Sequence, residues 1–211
     1  MRLIYYTKKM QMKDFTLKNY NDFLEVIPQN WEHLAGLAYT PRRYFYLAEI
    51  QIQGFKNALE KTFEESKEPK IIDYSEQCYS YSYGFYALIR TCLEVSSKFS
   101  DAFQKQNFSK ELESYRDSKK NEVINIIKIA NDYIKHPVEN QGKVTWYEPG
   151  GLDNHGELGI YEWSTVDNNH FKVLSIYPIR DITTVFEYLE QIGRLYTKQI
   201  TSLSYPRSQS T

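Results

Sequence analysis

Apolar residues recur at intervals of three and four over most of this chain, the spacing of one face of an α-helix. In TPRRYFYLAEIQIQGFKNALEKTFEESKEP they fall at Phe45, Ala48, Ile52, Phe55, Leu59 and Phe63. Thr40 reads as the N-cap of that helix, Pro41 as its first residue and Pro69 as its stop. A second helix, SEQCYSYSYGFYALIRTCLEVSSKFSDAFQ, opens at Ser75 and is almost wholly apolar from Phe85 to Leu93, which suits a central position. A third, SKELESYRDSKKNEVINIIKIANDYIKHP, has Ser109 as cap and Leu112, Val123, Ile127, Ala130 and Ile134 as its stripe. The last starts at Pro178 and carries Ile182, Val185, Leu189, Ile192, Leu195 and Tyr196. One or two shorter helices are expected near 17–26 and 29–37.

Between the third and last long helices the pattern changes. KVTWYEPGGLDNHGELGIYEWSTVDNNHFKVLSIYP is rich in β-branched and aromatic residues and is broken by PGG and DNN, which favour turns. Three antiparallel strands are expected near 143–148, 157–166 and 170–177. The fold class is therefore mainly α: a four-to-five-helix antiparallel bundle with a small three-stranded antiparallel β-insert before the last long helix. Residues 1–205 read as one domain with the insert at about 143–177, and 206–211 as a flexible tail.

Composition adds limits. The chain has 211 residues, 41% hydrophobic and 25% charged, with a net charge of -1, so no global field recruits DNA or an anionic membrane. Its 19 Tyr, 11 Phe and 3 Trp suggest that tyrosine replaces aliphatic residues along helix seams, its hydroxyl reaching the rim for a partner. Cys78 and Cys92 stand 14 residues apart in one helix, about 21 Å at 1.5 Å per residue, too far for a disulfide. No signal segment or membrane span is read, and a cytoplasmic location is expected. P-loop, GxGxxG, GxSxG and HExxH signatures are absent, and no cofactor is implied.

The stretch with most chemistry is NDYIKHP, Asn131 to Pro137. On a helical wheel Asn131 lies at the edge of the buried stripe, with Asp132, Lys135 and His136 outward. A histidine at a helix C-terminus is favoured by the macrodipole, and proline prevents continuation, so a well-made helix end accounts for most of the pattern. The long apolar helix followed by one ending in ANDYIKHP also resembles the HEPN superfamily, helical bundles that are often dimeric and many of which are RNases. That resemblance implies His136 as general acid/base, Asn131 as the polar residue before it, and an arginine at 129, 130 or 131. None of these is arginine, and Ala130 precedes Asn131. Arginine would grip the scissile phosphate through two hydrogen bonds; Lys135 offers only a point charge. The resemblance thus implies a degenerate, non-nucleolytic member, with a toxin–antitoxin or phage-defence RNase as the alternative.

Arg90, four residues before Glu94 in the most apolar helix, needs a partner, because an unpaired buried charge costs several kcal/mol. A pair with Glu94 at the bundle rim is expected. In the alternative, both meet Asn131 or His136 and form a polar binding pocket. Asp153, His155 and Glu157 alternate in a Gly-rich segment, but chance explains that spacing and no metal site is assigned. Trp146, Tyr147, Tyr161 and Trp163 are expected on the inner face of the sheet. Function then falls to association, by a homodimer, a cognate protein or bound RNA, near Asn131–His136 and Arg90. Two readings compete with it: metal-independent RNA cleavage through His136, and an interaction module built on the β-insert.

Overall fold

The computed structural model describes residues 15–64, 74–106, 109–133, 138–140, 143–153, 156–164 and 171–204. A short helix α1 (Lys18–Glu25) and a single 3₁₀ turn (Gln29–Trp31) precede four long helices: α2 (Glu32–Glu64), α3 (Tyr74–Gln106), α4 (Lys110–Tyr133) and α5 (Pro178–Ser204). Strands β1 (Val138–Asn140), β2 (Lys143–Leu152), β3 (Leu158–Ser164) and β4 (Phe171–Ile176) separate α4 from α5 and pair in that order, every pair antiparallel. The insert therefore holds the three expected strands and a short edge strand, β1.

Side-chain contacts fix the helix directions. Cys78 Sγ lies 3.9 Å from the Phe55 carbonyl and Cys92 Sγ 3.3 Å from that of Pro41, so α3 runs antiparallel to α2. Tyr115 stacks on Tyr188 while Lys198 pairs with Glu111, so α4 and α5 are antiparallel. Tyr86 reaches Asp181 and Ser100 reaches Tyr196, which makes α3 and α5 parallel. One buried cluster joins all five helices to the sheet. Its aromatic centre is Phe23, Phe99, Phe103 and Tyr196, with ring centroids 4.8 to 5.8 Å apart. Buried tyrosines keep their hydroxyls bonded inside the core rather than at its rim: Tyr20 donates to the Ala38 carbonyl at 2.9 Å, and Tyr86 to Asp181 at 2.7 Å.

The insert closes the end of the bundle where α2 finishes and α5 begins. Gly156 has a positive φ of 79°, and a Cβ there would stand 3.3 Å from Leu59 and 3.4 Å from Phe55. Only glycine suits both the turn and the close approach. The small helix α1 is held at its N-terminus from α5. The Glu190 carboxylate accepts from the backbone N–H of Asn19 at 3.2 Å and of Tyr20 at 3.3 Å, and from Asn19 Nδ2 at 2.9 Å. Leu17, at the cap position, has no side chain able to do this.

Four sequence expectations are corrected. The first long helix begins at Glu32, not Thr40, and passes through Pro41, absorbing the short helix expected at 29–37. A proline inside a helix costs about 3 kcal/mol. Here the buried stripe of Leu34, Ala38, Phe45 and Ala48 continues across it. The Thr40 hydroxyl turns back to the Gly36 carbonyl at 2.6 Å instead of capping. On α4 the buried residues are Leu112, Ile126, Ile129 and Ala130, with Val123 and Ile127 only half-buried, so the core lies to one side of the expected stripe. The PGG segment is not a turn: β2 continues through it to Leu152, with a bulge at which Gly151 has φ 74°. Finally, Leu158 and Ile160 are the buried side chains of β3. Strand residues alternate between faces, so Tyr161 and Trp163 lie on the other face, half-buried. Trp146 is paired in register with Trp163; its side chain and that of Tyr147 lie outside those described.

Candidate functional site

The helix-end cluster is placed only in part. Asn131 is half-buried in the last turn of α4, next to the fully buried Ala130, and Asp132 follows it in the same turn. Lys135, His136 and the expected stop at Pro137 lie outside the described residues, as does the C-terminal tail. Arg90 pairs with Glu94, Nε to Oε1 at 3.0 Å, and the two side chains are 40% and 41% exposed. This is the expected rim pair, worth roughly 0.3–0.5 kcal/mol in such exposure. Among the described residues no hydrogen bond or ion pair joins Arg90 or Glu94 to Asn131. Nor does any group of three or more His, Cys, Asp or Glu among them suit a metal ion. The Asp153 carboxylate instead accepts from the backbone N–H of Glu157 at 2.8 Å and shapes the turn before β3.

A polar chain that sequence reading misses lies where the sheet meets the bundle. Tyr177 immediately precedes α5, and its hydroxyl donates to Glu157 Oε2 at 2.7 Å. The Arg180 guanidinium lies over the Tyr177 ring, 4.3 Å from its centre, and donates to Asp181 Oδ1 at 3.1 Å. Asp181 Oδ2 accepts from the buried Tyr86 hydroxyl of α3. Asp181 is only 2% exposed. Burial raises its pKa above the ordinary carboxylate value, and the Tyr86 hydrogen bond and Arg180 charge oppose that rise. The one sequence signal is an aspartate in the first turn of an otherwise apolar stripe. It reads as ordinary N-terminal charge until Tyr86 is placed against it. The chain links α3, α5 and the insert, and its inner end is closed to solvent, so its chemistry is structural.

The remaining feature is an open groove of about 530 Å³ along α2, lined by Gly36, Tyr39, Thr40, Arg42, Arg43, Tyr46, Leu47 and Ile50. Tyr39, Leu47 and Ile50 are 49%, 39% and 63% exposed. They lie on the side of α2 opposite its buried stripe of Ala38, Phe45, Ala48 and Ile52. Helix α1 borders the groove through hydrogen bonds from Leu17 N to the Tyr46 hydroxyl at 3.3 Å and from the Tyr39 hydroxyl to the Leu24 carbonyl at 3.5 Å. The Arg42 guanidinium stands 5.8 Å from the centre of the Tyr46 ring. Its buried Nε has no hydrogen-bond acceptor among the described residues. Among the described residues neither Arg42 nor Arg43 pairs with a carboxylate. The sequence hides this face because the stronger periodic signal of α2 is the stripe facing the core.

The fold defines a mainly helical bundle with an antiparallel insert, in which, among the described residues, no helix is long and apolar enough to cross a membrane. No protein-family model, characterised protein or solved structure matches the chain.

Proposed function

We propose that this protein acts by association, with the exposed face of α2 as its working surface. The observation that carries this is the grouping of Tyr39, Leu47 and Ile50 in one groove beside two arginines that pair with no carboxylate among the described residues. Exposed apolar side chains gathered on one face mark interaction surfaces more often than scattered ones do. A degenerate HEPN-like character belongs to the same reading. Its support is the antiparallel bundle around the long apolar α3, and an alanine, fully buried at 130, where that resemblance wants an arginine. An arginine there would enter the core rather than reach a phosphate.

Photo-crosslinking tests the reading. Benzoylphenylalanine replaces Leu47 or Ile50, with the exposed Glu113 of α4 as the control position. In the cells that make the protein, adducts of a defined size are expected from positions 47 and 50 and not from 113. Equal labelling from all three would remove α2 as the working face. Metal-independent cleavage of single-stranded RNA, lost in His136→Ala, would replace association with catalysis. A second reading puts the contact on the insert, favoured by the half-buried Tyr161 and Trp163 on the face turned away from Ile160. The same crosslinker at Trp163 would then give the adduct.

A further inference from the structure

The outward residues of α2 follow a narrower rule than exposure alone. Gly36, Thr40, Arg43, Leu47 and Ile50 are separated by four, three, four and three residues. That alternation is the 3.5-residue repeat with which one helix packs along another, and it spans about 21 Å at 1.5 Å per residue. A Cβ added at Gly36 would meet none of the described residues within 4 Å, so among them the stripe is open at its start. At its far end a Cβ on Gly54 would stand 2.4 Å from the Tyr81 ring, so α3 already covers the next position of the repeat. Among the described residues, the uncovered part is therefore two heptads long and bounded, with aromatic residues (Tyr39 and Tyr46) along one flank.

Charge selects the occupant. Arg43 stands in the middle of the stripe, and Arg42 lies beside it with its Nε unbonded. A two-fold pairing of this chain with itself, centred on the stripe, would set Arg43 against Arg43 of the second copy. Like charges opposed in a drying seam are unfavourable, whereas a carboxylate opposite either arginine forms a charge-assisted pair. Nucleic acid would also neutralise arginines, but it has no counterpart for the aliphatic Leu47 and Ile50 at helical spacing. We propose that the α2 stripe is half of a two-helix seam, and that its occupant is a helix of a different protein, apolar on one face and bearing Asp or Glu level with Arg42 and Arg43. This rests on the association reading above and names the chemical class of the partner.

The test uses the full-length chain and a display library of amphipathic helical peptides whose charged positions are randomised. Selection is run in parallel on wild type and on Arg43→Glu. Wild type is expected to enrich peptides with aliphatic residues at three- and four-residue spacing flanked by Asp or Glu. Their affinity should fall about 10-fold in Ile50→Asp and in the double variant Arg42→Ala/Arg43→Ala. Arg43→Glu should shift the enriched charge toward Lys and Arg. Because Ile50 is 63% exposed, Ile50→Asp keeps the fold, which circular dichroism checks. Peptides that need Ile50 but show no acidic preference would overturn the inference and leave association standing. Displacement of the peptides by single-stranded RNA, or a dimer abolished by Ile50→Asp, would do the same. If neither peptide, RNA nor a second copy binds in an Ile50-dependent way, both readings fall.

Discussion

Tyr86 and Asp181 show how one buried pair ties stability to pH. The native carboxyl holds its proton more tightly than the unfolded one, since burial raises its pKa. Between about pH 4, where an unfolded aspartate titrates, and the raised native value, the folded state binds more protons. Stability attributable to this group therefore declines as pH rises through that window and is flat above it. The Tyr86 hydroxyl favours the charged form, so Tyr86→Phe should raise the Asp181 pKa further. The variant should lose about 1–3 kcal/mol at pH 7, where a buried carboxylate is left short of a donor, and less at pH 4. Urea denaturation at the two pH values measures both losses. Equal losses would mean that the hydroxyl does not act through the carboxylate.

Helix contacts turn on how closely backbones approach, and two glycines separate the cases. At Gly193 of α5 a Cβ would stand 2.6 Å from Tyr20 Cα, in the backbone of α1. Gly193→Ala should therefore displace α1, loosen the Glu190 contacts with Asn19 and Tyr20, and cost about 1–3 kcal/mol or more. Gly36 of α2 faces open space. Gly36→Ala should instead stabilise by about 0.5–1 kcal/mol, because alanine loses less backbone freedom on entering a helix. Denaturation midpoints of the two variants should move in opposite directions, and a shift of the same sign in both would contradict this packing. Pro41 belongs with these positions. Its carbonyl receives the Cys92 thiol, so the site where α2 lacks a backbone donor is also one where α3 crosses closely.

The bundle as an object has an inner and an outer stripe on the same helix, and they should respond differently. Ile52, fully buried on α2, makes part of the single core, so Ile52→Ala should cost about 2–5 kcal/mol. Ile50, two residues earlier and facing out, should tolerate Asp within about 0.5 kcal/mol. Thermal unfolding of the two variants, set beside the crosslinking yield from position 47, separates folding from association. Ile50→Asp should keep the melting temperature and lose the adduct. A large drop in its melting temperature would mean that this face is part of the core instead.

Periodicity determined the five helical segments apart from their exact limits, the place of the β-insert, and the rim pair of Arg90 with Glu94, because each depends on residues a few positions apart. What depends on distant residues was decided by tertiary structure. Pro41, which reads as the first residue of a helix, lies inside a continuous one because Leu34, Ala38, Phe45 and Ala48 share one buried face across it. The cap of α1 comes from Glu190, on the helix packed alongside it and 171 residues away in the chain. The carboxyl of Asp181 is unusual only because Tyr86 and the core surround it. The outward stripe of α2 became visible as a surface once the stronger stripe had found its core. Local spacing selects which elements form; burial, set by the whole packing, decides which of their faces remain free to act.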